Sequence, residues 1–214
     1  IGVDCVERVA DASPGLYLVR TDASGERSFQ FWREHSPARR LCALPGWPRR
    51  VRAFATCDWV YFSAITLSIL GDDGRTALLQ AVAEARAHGV RVAFDSNYRP
   101  RHWRDPQSAR EAIERALAHV DLALPTFEDE RALFGDETPE ACLARLRAHG
   151  VEMAAIKLGA DGCLLYDRHG SRRIAAPPVA PVIDTTAAGD AFNAGFLAGL
   201  IHGEHAERAA LRGH

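Results

Sequence analysis

Val182-Ile-Asp-Thr-Thr-Ala-Ala-Gly-Asp-Ala-Phe-Asn-Ala-Gly-Phe-Leu-Ala-Gly-Leu200 changes character twice along its length. An apolar approach, Val182 and Ile183, ends in Asp184-Thr185-Thr186. A run of small residues, Ala187-Ala188-Gly189, then delivers Asp190 onto an apolar helix. Small side chains at a helix start leave backbone N–H groups approachable, and the positive end of the helix dipole adds to their pull on an anion. Asp190 stands beside that anion site, placed to take a proton from an attacking hydroxyl while the amides hold charge building on a phosphoryl group. The same residues also read as a capped helix that packs closely through small side chains, with Asp190 as an ordinary first-turn acid. Capping alone does not explain two Thr and two Asp bracketing the turn.

Upstream of that turn, strands and helices alternate. Cys57–Ser63, Val90–Asp95, Val120–Leu124 and Val151–Lys157 read as buried strands. Asp72-Asp73 caps a helix that runs through His88 and stops at Gly89. Asp105-Pro106 is an N-cap and first-turn pair opening a helix to about His119, and Thr138-Pro139 opens another that Gly150 closes. Such alternation predicts βαβ units, a parallel sheet, and ligands bound beyond the carboxyl ends of the strands. Asp95–Arg99, Pro125–Asp129, Lys157–Gly162 and Asp184–Asp190 all follow strands or extended segments, so they converge on one sheet edge. Near the start, residues 15–20 and 28–33 alternate and are rich in Tyr, Val, Phe and Trp, with Thr21–Gly25 between them: a hairpin.

Bulk properties narrow the function. The 214 residues are 47% hydrophobic and 25% charged with a net charge of −2, an ordinary globular composition without a dedicated nucleic-acid surface. Short Arg-rich stretches such as Pro48–Arg52 are mixed with apolar residues and read as solvated surface. Five scattered cysteines without a Cys-x-x-Cys read as reduced, and with no apolar run of membrane-spanning length the expectation is a cytoplasmic protein that binds no membrane. No P-loop motif occurs, and no Gly-x-Gly-x-x-Gly follows a strand. The histidines, His35, His88, His102 and His119 among them, show no metal pattern and receive no role.

Asp184-Thr-Thr-Ala-Ala-Gly-Asp190-Ala-Phe-Asn-Ala-Gly resembles the C-terminal signature of the ribokinase-like (PfkB) sugar kinases, and its Thr-Thr-Ala-Ala-Gly-Asp form is similar to the 2-keto-3-deoxygluconate kinases within them. Most members carry Gly where this chain has Ala187. Three further segments agree, in the family's order: the hairpin from Gly15 through Arg33, Phe94-Asp95-Ser-Asn97-Tyr-Arg99, and Leu124-Pro-Thr126-Phe-Glu-Asp129 followed by Ile156-Lys157-Leu-Gly159-Ala-Asp161-Gly162. The resemblance implies an α/β ribokinase-like fold, a mostly parallel sheet flanked by helices, with a small β-hairpin lid. It implies transfer of the γ-phosphoryl of ATP, with Mg²⁺, to a sugar acid.

The resemblance also distributes roles. Asp190 is the base, and the amides of Ala187, Ala188, Gly189 and Asp190 form the anion hole. Tyr17, Phe31, Trp32, Arg33 and Arg99 contact the substrate. Asn97, Arg99, Lys157, Gly159, Ala160, Asp161 and Gly162, with Ala188 and Gly189, face the nucleotide. Asp129 stands where the family shows a magnesium-associated Glu, and Thr126 where it shows Asn, so Asp129 is a metal contact reached through water. Taken by themselves, Asp95-x-Asn97-x-Arg99 also reads as an Asx-capped turn, Asp129 as a dipole-favouring acid of helix 126–133, and Gly159–Gly162 as a turn between strands. By period-two alternation Phe29, Phe31 and Arg33 share one face of the lid, where Arg33 meets a carboxylate; the alternative pairs Arg33 with Glu34 on the surface. Residues 1–40 are expected to form the lid region and 41–214 the α/β domain, with the family's N-terminal portion and C-terminal helices missing. A homo-oligomer is expected. Alternatives are a fructokinase, a 5-keto-2-deoxygluconokinase, or an inactive fragment that binds nucleotide or dimerises.

Overall fold

The alternation becomes a six-stranded sheet with helices on both faces. A computed structural model describes residues 6–21, 27–178 and 185–214. Val182, Ile183 and Asp184 of the signature, and Asp22–Gly25 of the hairpin turn, lie outside the described residues, as does the side chain of Phe29.

The strand order is β3-β4-β5-β6-β7-β8. Strands β3 (Trp59–Ser63), β4 (Arg91–Asp95), β5 (Leu122–Ala123) and β6 (Met153–Lys157) run parallel, while β7 (Cys163–Asp167) and β8 (Gly170–Ile174) add antiparallel pairs. Near-continuous apolar runs follow from burial on both faces, as in β4, where Val92, Ala93, Phe94 and Asp95 are all buried. On one face Val60, Phe62, Val92, Phe94 and Ile156 pack with α2 (Ala64–Ala87), α3 (Pro106–Leu117) and α5 (Pro139–Ala148). On the other, Ala93, Leu122, Ala155 and Leu165 pack with Phe192 and Phe196 of α6 (Ala188–Ile201) and Ala209 and Ala210 of α7 (Ala206–Gly213). A Cβ at Gly195 would lie 2.8 Å from the Arg212 carbonyl oxygen, so the Gly in the middle of α6 sets how closely α7 approaches.

Two of the three expected caps are present, while Asp72 instead meets the Arg75 guanidinium at 3.0 Å. Asp105 accepts the Ser108 N–H at 2.7 Å, and Thr138 accepts that of Ala141 at 3.1 Å. Two elements differ from expectation. The helix expected from Asp72 is the second segment of α2: Gly71 at φ 66° separates it from a first segment, residues 64–70, that the sequence reading does not include. Strand β5 is two residues long: the Leu124 N–H still reaches the Phe94 carbonyl at 2.8 Å, but Pro125 has no donor to continue the ladder.

The lid is a separate two-stranded sheet, β1 (Leu16–Thr21) antiparallel to β2 (Arg27–Trp32), with Tyr17 directly opposite Phe31. A 3₁₀ segment, Pro37–Ala43, and α1 (Trp47–Phe54) lead from it to β3. The remaining helix, α4 (Phe127–Phe134), follows β5. Among the described residues no helix is long and apolar enough to cross a membrane.

Candidate active site

Helix α6 starts where the sequence places it. Ala187 is the residue before its first turn, at φ 59° and ψ 17°, in the left-handed region. The Ala188 N–H turns back to the Thr185 carbonyl at 3.2 Å, and the first helical bond runs from the Ala191 N–H to the Ala187 carbonyl at 2.8 Å. Of the four amides expected to be open, that of Ala188 closes a turn, while the N–H groups of Ala187, Gly189 and Asp190 have no backbone acceptor among the described residues. Asp190 is exposed beside them. A left-handed alanine costs about 1–2 kcal/mol, and glycine's extra chain entropy costs about 0.5–1 kcal/mol. Ala187→Gly is therefore expected to raise stability by about 0.5–1 kcal/mol, read as a higher urea midpoint at unchanged slope. A lower midpoint would show that the left-handed turn carries no strain.

Beneath this turn lies a buried polar network, reached only from the structure. The Lys157 ammonium, at the end of β6, donates to the Asp95 carboxylate at 2.9 Å, the Leu124 carbonyl at 2.6 Å and Asn193 Oδ1 at 2.9 Å. An ammonium only donates, so it fixes the Asn193 amide with its oxygen toward Lys157. The Asn193 NH₂ then donates to Asp95 at 2.7 Å and to the Tyr61 hydroxyl oxygen at 3.2 Å. Burial, with the Asp95 and Asp190 charges nearby, pushes the Tyr61 phenol up to about 12, so it keeps its proton. A Cβ on Gly189 would sit 3.7 Å from the Lys157 nitrogen, which places this cation directly under the open amides. Lys157 was expected at the nucleotide surface; its side chain is instead 8% exposed, because Asp95 and Asn193 draw it inward. One signal existed: Asn193 is a lone amide on an otherwise apolar helix, three residues beyond Asp190.

The Asp95–Arg99 turn has the geometry of the Asx-capped alternative. The Asn97 N–H donates to Asp95 at 3.0 Å, the Asx turn expected of these residues. Arg99 meets both oxygens of Asp129, at 3.2 and 3.0 Å, and the Tyr98 carbonyl at 2.6 Å. Two residues assigned to different ligands thus hold one another. Burial raises the Asp129 carboxyl while Arg99 opposes that rise. The neighbouring Glu130 is structural: buried, it pairs with Arg145 at 2.5 Å and accepts the Ser96 hydroxyl. Gly159, Ala160 and Asp161 form an exposed 3₁₀ turn after β6. Gly162 closes the turn at φ 91°, where a Cβ would lie 2.0 Å from the Ile174 carbonyl oxygen, so no other residue fits.

The lid makes a concavity of its own. Tyr17, Phe31, Arg33, Arg39, Arg101 and His102 line a cleft of about 600 Å³ between the hairpin and the body. The Arg33 guanidinium stacks over Phe31 at 4.2 Å, and Arg101 stacks over the same ring at 4.1 Å. Arg33 has no carboxylate partner among the described residues; it donates to His102 Nε2 at 2.7 Å. Trp32 does not line the cleft. Successive strand residues point to opposite faces, and Trp32 stands 54% exposed opposite Leu16. Arg99 and Asp190 do not line it either.

The model of the pfkB family carbohydrate kinases matches residues 1–214, and the chain belongs to that family. It is 39% identical over 218 aligned positions to a 2-dehydro-3-deoxygluconokinase of Dickeya dadantii (strain 3937), covering 100% of this chain and 70% of the relative. A PfkB protein of Polaromonas sp. JS666 has a similar structure, with TM-score 0.81 and 26% identity over 95% of this chain and 65% of that one. A putative ribokinase II of E. coli, solved in complex with ATP and Mg²⁺, superposes with TM-score 0.72 at 26% identity, covering 87% of this chain and 58% of that one. The chain thus spans 58–70% of the length of these three proteins.

Proposed function

We propose that this chain carries the phosphoryl-transfer core of an ATP-dependent kinase for 2-keto-3-deoxygluconate, the compound also written 2-dehydro-3-deoxygluconate. The observation that carries the reading is the first turn of α6. There, an exposed carboxylate, two open amides and a buried ammonium meet within a few residues. Asp190 takes the proton of the sugar's terminal hydroxyl as that oxygen attacks the γ-phosphorus, and the bond to the oxygen bridging the β-phosphate breaks. The Gly189 and Asp190 amides hold the charge on the transferring group, with Lys157 below them adding a fixed positive field. Gly159, Ala160, Asp161 and Gly162 border the nucleotide, with Asn97 and Arg99 at the neighbouring strand end. Mg²⁺, when bound, neutralises phosphate charge. Because Arg99 already matches Asp129, the ion in this reading leans on the phosphates and on water, with Asp129 behind.

The substrate class rests on the lid. A keto-deoxy acid differs from an ordinary hexose by its carboxylate, and Arg33 presents a guanidinium without an acidic partner among the described residues, backed by an aromatic ring. The kinase-named Dickeya relative supports the same acceptor. Arg33→Met is expected to raise KM for 2-keto-3-deoxygluconate at least about tenfold and leave KM for ATP nearly unchanged. A coupled assay over keto-deoxy acids and neutral hexoses tests this; an unchanged sugar KM, or equal turnover of fructose by the wild type, defeats the keto-acid assignment. In the same reading the protein works in the cytoplasm and pairs with a second copy through the outer lid face, where Leu16, Leu18 and Trp32 are exposed.

A further inference from the structure

Arg33 belongs to the lid and His102 to the segment after β4, so the 2.7 Å bond between them crosses the cleft. A guanidinium has no lone pair to offer, so His102 Nε2 accepts, and the ring's proton sits on Nδ1. Nδ1 is buried without a partner among the described residues, so the bond to Arg33 is the polar contact that sets the ring. The charged groups facing this imidazole are Arg33, Arg101, Arg99 and Arg39, all cationic; burial first, and then these four, hold it down to about 4. It is therefore a neutral acceptor throughout the working range. Arg101, one residue earlier, reaches over Phe31 of the lid. A guanidinium–imidazole bond and a guanidinium–aromatic stack thus fasten the same two parts.

We propose that His102 is a positioning residue that latches the lid to the α/β body and fixes the Arg33 fork in the orientation that receives the substrate carboxylate. Its second half rests on the keto-acid reading above; its first half does not. Without the acceptor, Arg33 keeps its charge but loses its direction, and bidentate recognition of a carboxylate depends on direction.

The test compares His102→Leu, which fills the space without accepting, with His102→Gln, whose amide oxygen accepts. In His102→Leu, KM for 2-keto-3-deoxygluconate should rise about tenfold, the scale of a lost charge-assisted bond, while KM for ATP holds. His102→Gln should recover most of the loss. Amide hydrogen exchange across residues 16–21 and 27–32 should quicken in His102→Leu and return in His102→Gln. If wild type turns over no sugar acid, the substrate reading falls, and exchange alone then judges the latch. Exchange that is identical in wild type and His102→Leu overturns the latch. Normal KM for the sugar acid in His102→Leu overturns the positioning of Arg33, and so does a rise that His102→Gln fails to reverse.

Discussion

Asp190→Asn should lower kcat by roughly 10²–10⁴, the contribution of a positioned general base, and leave KM for ATP close to wild type. The substitution keeps the shape and hydrogen-bonding reach of the side chain but replaces a basic carboxylate with an amide too weakly basic to receive the hydroxyl proton. Asp190 is exposed at the helix start and makes none of the bonds of the buried network, so the variant should fold with an unchanged urea midpoint. That separates chemistry from stability. A loss in kcat at constant stability assigns the base. Near-normal kcat would remove Asp190 from the role and leave the open amides and Lys157 as the whole of the charge stabilisation. Quenched-flow measurement of the first turnover tells a slowed chemical step from slowed product release.

What the sequence conveyed and what it withheld divide along a physical line. Strands β3, β4 and β6, the caps at Asp105 and Thr138, and the start of α6 were legible because they rest on local patterns: apolar runs, capping residues and small residues at a turn. The hairpin was legible through period-two alternation, and the same alternation turns Trp32 away from the cleft. Pairings across long separations were not legible. Asp95, Lys157 and Asn193 come from β4, β6 and α6, and nothing in the identity of a lysine at a strand end says whether its ammonium faces solvent or a buried carboxylate. Arg99 and Asp129 were each singled out, but for separate ligands, since spacing along the chain does not encode a contact between a loop and the next helix but one. His102 carried no signal, because a histidine serving as a neutral acceptor has no sequence pattern.

The buried network sets the largest expected effect on stability. Lys157 and Asp95 form an ion pair with side chains 8% and 3% exposed. Asp95 has both oxygens engaged, one by the Asn97 N–H at 3.0 Å and the other by Lys157 and Asn193. Lys157→Met keeps much of the side chain's volume but deprives the carboxylate of its countercharge, and breaking a buried pair from one side costs about 3–5 kcal/mol. The urea midpoint should fall accordingly. A loss below about 1 kcal/mol would mean that the ammonium does not balance Asp95. The double variant Lys157→Met with Asp95→Asn removes both charges and should recover most of the loss, since a neutral amide is far easier to keep buried than an unpaired carboxylate. Compared with Asp95→Asn alone, that folded double variant isolates the second role of Lys157. The positive charge under Gly189 is gone while Asp190 and the amides remain, so phosphoryl transfer should stay slow although stability has returned. Recovery of kcat along with stability would show that the lysine serves only to hold Asp95.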